Sequence, residues 1–299
     1  MSGLSNLEMC STTVPSEVIN LKDLAAFQSK YIWSLNQTLN VAFLNDGSNT
    51  RYKTADEFPG AKVDPLQYEF DRQHKNKTFD MKKAVKRIVE ERINPLIKGH
   101  LNFNFIEDKN LAVIRIQFNE MGGCSSQIGS QAKKIEDTNI ATMQFSWFDV
   151  GTVLHEFGHA LGLIHEHQNP KGKNIDWNKP ALYAWGEKIG WDRDKVDEQI
   201  IQRMDINSVN GSDYDPKSIM LYFYPPEVTK DNKGTSQNLV LSDTDKKTIN
   251  DQYGKHGGNT AQASPLPKKF GLVLGIVVVA LGATWWGVRH FQRLKKKHK

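Results

Sequence analysis

Residues 155–166 read HEFGHALGLIHE, and this stretch decides which fold the chain can adopt. Its pattern is H-E-x-x-H-x-x-G-x-x-H-E. His155 and His159 are four residues apart, so an α-helix places them on one face, one turn apart. Two imidazole nitrogens in that arrangement can reach a single Zn²⁺ ion at about 2.0–2.1 Å. The spacing therefore predicts a helix that carries two ligands of a metal ion, and this helix is expected to begin near Asp149 or Val150.

Gly162 and His165 complete the predicted metal site. A glycine three residues after the second histidine can adopt the left-handed conformation that ends a helix. The chain then turns back and His165 can approach from outside the helix, whereas a continuing helix would carry it away. Catalytic zinc takes three protein ligands and keeps one position open for water. We therefore predict one catalytic Zn²⁺ ion bound by His155, His159 and His165.

Glu156 directly follows the first of these histidines, so it does not share their face of the helix. This offset places its carboxylate beside the open coordination position. There it could take a proton from the zinc-bound water, whose pKa zinc lowers to about 7, and later pass it to a leaving amine. We predict Glu156 as the general base and acid of a hydrolysis.

The stretch resembles the signature of the metzincin metalloproteases. Glu166, directly after the third histidine, is similar to the astacin branch rather than to the matrixins. Metzincins also carry a methionine turn downstream, and residues 218–222 read SIMLY, which resembles its astacin form S-x-M-x-Y. The resemblance covers roughly residues 30–254 of the chain.

This resemblance implies an α+β fold, in which a twisted mixed sheet and the active-site helix lie above a less regular lower lobe, with the cleft between them. Met220 would form an apolar floor under the zinc. Tyr222 would be a second catalytic residue, a switchable fifth ligand that stabilises the tetrahedral intermediate. Glu166 and Gly162 would support the site without reacting. The implied activity is that of a zinc endopeptidase acting on proteins or peptides.

Alternating apolar residues predict the strands of the sheet. These strands are expected at residues 38–44, 101–106, 112–118 and 142–147. Residues 121–126 are expected to form a turn. By resemblance, the strand at 142–147 would be the antiparallel edge that holds an extended peptide across the zinc.

Helical spacing predicts three further helical regions. One begins near Phe79 with Asp80 as its N-cap and is expected to end at Pro95 and Gly99. Residues 180–204 are expected to form one or two helices of the lower lobe. The last helix is expected to follow Ser242 and run to Tyr253. His167, in the loop after the metal motif, is expected at the rim of the site.

The net charge of +5 belongs to the C-terminal end. Residues 289–299 hold six basic residues and no acid, so residues 1–288 have 33 basic against 34 acidic residues, a net charge of −1. This balance gives no support to a nucleic-acid-binding catalytic domain, and we predict no nucleic-acid partner.

The N-terminal segment has neither the apolar nor the basic region of a secretory signal. It is either a loose leader or a pro-segment that covers the cleft, in which Cys10 could reach the zinc. Secreted astacins typically carry two disulfides in the catalytic domain. The two cysteines here, Cys10 and Cys124, cannot form that set, which favours a reducing compartment or a lineage without disulfides.

Residues 270–288 contain nineteen residues without a charge, enough to span about 30 Å of hydrocarbon. We predict a single membrane-spanning helix here, with Trp285 and Trp286 at an interface. The basic tail places the C-terminus in the cytoplasm by the positive-inside rule, yet no signal would send the protease domain outside. A tail-anchored, cytosol-facing protein is favoured, and a viral envelope is the other interpretation.

These features divide the chain into five predicted segments. They are a leader or pro-segment (1–30), an astacin-like protease domain (31–254), a linker (255–269), a transmembrane helix (270–288) and a basic tail (289–299). The alternative function is a zinc-containing, membrane-anchored binding or attachment protein without turnover. The sequence specifies neither the substrate nor the oligomeric state.

Overall fold

The computed structural model describes residues 27–120, 122–171 and 173–254. The strands are β1 (Phe27–Gln28), β2 (Gln37–Phe43), β3 (Arg51–Tyr52), β4 (Leu101–Phe105), β5 (Ile114–Phe118), β6 (Ser125–Ser126), β7 (Met143–Phe145), β8 (Trp147–Phe148) and β9 (Val209–Asn210). The α-helices are α1 (Pro65–Lys75), α2 (Met81–Ile88), α3 (Asn94–Ile97), α4 (Val150–Leu161), α5 (Lys179–Lys188), α6 (Arg193–Val196) and α7 (Asp243–Tyr253).

The main sheet has five strands in the order β4-β2-β5-β7-β6. The first four strands are parallel, and β6 runs antiparallel to β7. In β4 the side chains alternate between core and solvent, whereas β5 in the middle of the sheet is buried almost throughout. The mixed sheet that the family resemblance implied is therefore present.

The edge of this sheet differs from the prediction. β7, within the segment expected to be the antiparallel edge, lies inside the sheet and is parallel to β5. The outer position belongs to β6, where Ser125 lies opposite Gln144 and Ser126 opposite Met143. Residues 121–126 were expected to form a turn. Two serines show no apolar alternation, and the strand pairing of residues 125 and 126 depends on β7, a partner further along the chain.

The helix after Asp80 ends between Pro95 and Gly99, as predicted, but it is not a regular α-helix throughout. It passes from α2 through a π-helical turn (Val89–Ile93) into α3, and Pro95 lies within its last turn. Proline lacks an N–H and its ring clashes with the carbonyl four residues earlier in a regular α-helix. The wider π turn directly before α3 changes this register, so Pro95 does not end the helix.

Helix α1 was not predicted, although its start carries a recognisable signal. Asp64 caps it by accepting a hydrogen bond from the amide of Leu66 at 2.9 Å, and Pro65 occupies the first helical position. Aspartate followed by proline is a typical helix start. The helix is mostly exposed, and its weak apolar periodicity explains why the pattern did not indicate it.

The described residues form two large apolar cores and one small apolar cluster. The larger core joins the sheet to α2 and α4, and it includes an edge-to-face contact between Phe103 and Phe157 with ring centroids 5.1 Å apart. The smaller core builds the lower lobe, from Trp177 through α5 and α6 to Tyr224 and Val228. The loops that carry the site run between these cores.

The folded body begins before residue 31, the predicted domain boundary. Phe27 and Gln28 are buried, pair with Val209 and Asn210, and contact the end of α4 through a hydrogen bond from the amide of Gln28 to the carbonyl of Gly162 at 3.0 Å. The rest of the predicted leader with its cysteine, the linker, the membrane-spanning segment and the basic tail lie outside the described residues. Between residues 27 and 254, no described helix is both long and apolar enough to cross a bilayer.

Candidate metal centre

Helix α4 has the ends that the sequence predicted. Asp149 caps its start and accepts hydrogen bonds from the amide and the hydroxyl of Thr152 at 2.8 and 2.7 Å. Gly162 ends it in the left-handed conformation, with φ of 108°. The amide of Leu163 then bonds the carbonyl of Gly158 at 3.0 Å, which closes the helix end. The chain leaves the helix in the direction that brings in the third histidine.

The three histidines of the motif converge on one point. Their potential ligand atoms lie within 4.8 Å of one another, and all three residues are buried. Nε2 of His159 is 3.1 Å from Nε2 of His165. Two nitrogens bound to one tetrahedral ion at zinc–nitrogen distances are about 3.3 Å apart. The spacing of these atoms fits a shared ion.

The protonation state of the three imidazole rings also suits the binding of a metal ion. Nδ1 of His155 donates to the carbonyl of Ile219 and Nδ1 of His159 donates to that of Leu163, both at 2.8 Å. A carbonyl only accepts, so Nε2 of each ring keeps its lone pair. Among the described residues, the buried Nε2 of His155 has no hydrogen-bond partner. Burial lowers the pKa of His155 to about 4 and that of the other two well below the usual value. The set offers neutral imidazoles, which Zn²⁺ prefers.

The other predicted site residues lie around this cluster. Glu156 is fully buried in α4 beside His155. The ring of Tyr222 is half-buried, with its centroid 4.2 Å from that of His165 and 5.5 Å from that of His155. Met220 is buried below the helix. The structure brings all of them together, and their individual roles stay predictions.

Met220 packs so closely against the helix that Gly158 has no room for a side chain. A Cβ atom added to Gly158 would lie 2.6 Å from Sδ of Met220. We expect Gly158→Ala to lower the free energy of unfolding by about 1–3 kcal/mol because the methionine must shift. Urea unfolding of Gly158→Ala, Met220→Ala and the double variant tests this. Purely additive losses would contradict a direct contact.

Glu166 is buried, and its carboxylate is hydrogen-bonded. One carboxylate oxygen, Oε1, accepts hydrogen bonds from Nδ2 of Asn169 at 2.9 Å and from the amide of Asp215 at 2.8 Å. Burial raises the pKa of Glu166 to about 8. These bonds tie the loop after the third histidine to the segment that leads into the methionine turn.

Sequence reasoning missed Asp245 as a supporting residue. Its Oδ1 accepts a hydrogen bond from the hydroxyl of Ser218 at 2.7 Å, and its Oδ2 accepts one from the amide of Ile219 at 2.8 Å. The carbonyl of Ile219 in turn orients His155. Asp245 lies at the third position after Ser242, the predicted start of the last helix, and caps that start by accepting a hydrogen bond from the amide of Ser242 at 2.9 Å. Its second role depends on a contact across 26 residues.

We expect Asp245→Ala to lower the free energy of unfolding by about 3 kcal/mol, because it leaves several buried donors without an acceptor. It should also weaken zinc binding, because the peptide segment that orients His155 loses its support. Asp243→Ala is the matched control, since that side chain lies in the same helical turn but is fully exposed. Urea unfolding and a zinc titration compare them. Equal effects of the two substitutions would contradict the assignment.

His167 was expected at the rim of the site, but the structure places it in the interior. It is completely buried, and its ring stacks on that of His165 with centroids 5.3 Å apart and an interplanar angle of 15°. Burial lowers the pKa of His167 to about 4. The polar loop composition suggested exposure, but the lower lobe folds over this residue.

A cleft of about 580 Å³ opens beside His155. Its walls come from the first turn of α4 and from the segment after Met220, and it includes Thr152, Leu221 and Tyr222. Lys53 lies in the same cleft with its ammonium 4.2 Å from the ring centroid of Trp147. The cleft is large enough for a substrate side chain and adjoins the metal cluster.

Comparison with known proteins agrees with this geometry. Two solved structures of myroilysin resemble the chain: one is 30% identical with a TM-score of 0.58, covering 75% of this chain and 96% of that one. The other is 28% identical with a TM-score of 0.50, covering 84% and 93%. The zinc metalloproteinase dpy-31 of Teladorsagia circumcincta is 26% identical over 166 residues, which is 53% of this chain and 23% of dpy-31.

Zinc metalloproteinase nas-19 of Caenorhabditis elegans is 34% identical over 102 residues, 32% of this chain and 25% of nas-19. The chain thus spans about a quarter of the length of these curated relatives. The family profile of the astacin peptidases matches residues 61–254. That range holds the three-histidine cluster, which fits the single catalytic zinc ion of the family. The chain therefore belongs to the astacin family of zinc metalloendopeptidases.

Proposed function

We propose that this chain hydrolyses peptide bonds in proteins or peptides as a zinc-dependent endopeptidase. The observation that carries the proposal is the cluster of three buried, neutral imidazoles beside a cleft, with Glu156 in the same helical turn. His155, His159 and His165 would hold the zinc ion. Glu156 would not be a fourth ligand. It directly follows His155 in sequence, so its side chain does not lie on the helix face that carries the histidines.

The residues of the chain divide the reaction between them. When bound, zinc supplies a Lewis acid that polarises the scissile carbonyl and makes water a stronger acid. Glu156 takes a proton from the attacking water and returns it to the leaving nitrogen. The hydroxyl of Tyr222 donates a hydrogen bond to the carbonyl oxygen as negative charge develops there. Met220 keeps the space under the ligands apolar and filled.

We further propose that an extended substrate lies along the sheet edge. Strand β6 lies at one of the two edges of the sheet and runs antiparallel to β7, so a peptide could add to the sheet there by main-chain hydrogen bonds. The side chain that follows the scissile bond would enter the cleft beside His155. The proposed peptide-binding strand is therefore β6, and not the segment 142–147 that the resemblance implied.

We also propose that residues 270–288 anchor the enzyme in a membrane. The support is the sequence alone, with nineteen uncharged residues followed by a basic end. Flotation of the full chain with phospholipid vesicles tests this proposal. Recovery of the chain in the dense, lipid-free fraction would contradict it.

Cleavage of a random peptide library by the full chain tests the enzymatic proposal. Mass spectrometry identifies the products, first with zinc, then after removal of the metal by a chelator, and finally after zinc is restored. We expect cleavage that stops with the chelator and returns with zinc. Stoichiometric zinc without any cleavage would instead favour a binding or attachment protein.

A further inference from the structure

The third metal ligand is oriented differently from the other two. His155 and His159 each donate Nδ1–H to a backbone carbonyl, which fixes the plane of the ring. Among the described residues, Nδ1 of His165 has no such hydrogen bond. Its ring is instead packed among other rings, with Tyr222 at 4.2 Å and His167 at 5.3 Å between centroids. The ring of His165 is therefore oriented by contacts with neighbouring rings and not by a hydrogen bond to Nδ1.

His167 is itself held in one orientation and one tautomer. Its Nε2 lies 2.9 Å from the carbonyl of Gln199, which only accepts, so Nε2 carries the proton. Its Nδ1 is then the acceptor for the hydroxyl of Tyr224 at 3.3 Å. Both ring nitrogens are engaged, which leaves none for a metal. His167 thus acts as a fixed flat surface rather than as a fourth ligand.

Tyr224 connects this surface to the core of the lower lobe. It is completely buried, and its ring lies edge-on to Trp177 with centroids 4.7 Å apart. Its amide donates to the hydroxyl oxygen of Thr235 at 2.7 Å, and the same hydroxyl donates to the carbonyl of Tyr222 at 2.6 Å. One threonine therefore fixes the backbone on both sides of the aromatic run 222–224.

We propose that His167 is a positioning residue of the metal centre, held by Tyr224 and Gln199 so that its ring sets the plane of His165 and the place of Tyr222. This inference rests on the proposed function, because it assigns His165 as a ligand. It makes the lower lobe a part of the catalytic machinery. The core of the lower lobe holds Tyr224, Tyr224 holds His167, and the ring of His167 orients the third ligand.

Three substitutions in the full chain separate the parts of this arrangement. His167→Leu removes the flat ring, His167→Phe keeps a ring but loses both hydrogen bonds, and Tyr224→Phe removes only the hydroxyl donor. Tyr183→Phe is the matched control, since it deletes a hydroxyl that bonds Asp197 at 2.7 Å in the same lobe, away from the metal cluster. Near-UV circular dichroism checks that each variant is folded.

Two measurements read the metal geometry and the reaction separately. The visible absorption of the Co²⁺-loaded chain reports ligand geometry whether or not the chain cleaves peptides. We expect His167→Leu to shift this spectrum and to lower kcat by about 10–100-fold, the usual cost of losing an outer-shell partner, with KM unchanged. His167→Phe should lose less, Tyr224→Phe should cause a smaller shift in the same direction, and Tyr183→Phe should match the wild type.

An unchanged Co²⁺ spectrum and an unchanged kcat in His167→Leu would overturn the proposal. If that variant does not fold, Tyr224→Phe decides the matter in the same way, because it keeps the buried ring and its packing. A change in KM alone would also overturn it, since His167 is buried and does not line the cleft. If the wild type binds Co²⁺ but cleaves nothing, the proposed function fails while the spectra still test the role of His167.

Discussion

Replacing Glu156 with glutamine is expected to lower kcat/KM for peptide hydrolysis by about 10²–10⁴-fold, the range that general acid–base catalysis contributes. Glutamine has nearly the same shape as glutamate, so the fully buried site keeps its packing. The amide cannot take a proton from water at neutral pH, and the nucleophile is no longer activated. The measurement is the initial rate on one peptide from the library, at equal protein and zinc concentrations.

Zinc content must be determined for the same preparation, because only then does the loss of rate refer to proton transfer. We expect Glu156→Gln to hold one zinc ion per chain, since the three histidines are unchanged. Glu187→Gln is the matched control, because that glutamate is exposed on α5 in the lower lobe. A rate within a few-fold of the wild type, with zinc bound, would exclude Glu156 as the base.

Substitution of His159 by alanine is expected to abolish tight zinc binding. The loss of an outer-shell partner alone costs about 10–100-fold in affinity, and the loss of a ligand must exceed this. His159 is the central residue of the cluster, close to His155 and to His165, with ring centroids 4.7 Å from each. Two remaining imidazoles leave half of a tetrahedral site unfilled. Competition with a chromophoric chelator measures the affinity.

Thermal unfolding gives a second test of the same substitution. A ligand that binds only the folded state raises its stability, so zinc should raise the Tm of the wild type. It should leave the Tm of His159→Ala unchanged. His100→Ala is the matched control, because that histidine bonds the side chain of Asn36 at the surface. An equal rise of Tm in His159→Ala and in the wild type would contradict a shared ion at this cluster.

The parts of the fold that depend on local spacing were predicted well. The start of α4 at Asp149, its end at Gly162 and the last helix after Ser242 all lie where the sequence placed them. Caps and left-handed glycines act on backbone groups within one turn, so the residues that decide them are neighbours in sequence. The same holds for the four-residue spacing of the first two histidines.

The parts that depend on distant partners were missed or misplaced. Strand β6 became the sheet edge because Ser125 and Ser126 pair with β7, not because of their own preference for strand. His167 is buried and does not lie at the rim, because Tyr224 and the carbonyl of Gln199 form hydrogen bonds with its two ring nitrogens. Asp245 became a support of the methionine turn through contacts 26 and 27 residues away.

By itself, the sequence determined the metal motif, its turn at Gly162 and the family resemblance, because a period of 3.6 residues and a glycine conformation are local properties of the chain. Only the tertiary structure decided which strand forms the sheet edge next to β7, and which residues orient the histidines of the metal motif. Those supports are hydrogen bonds and ring contacts between segments far apart in sequence. Their partners become neighbours only when the two apolar cores close around the site, and no local pattern records that closure.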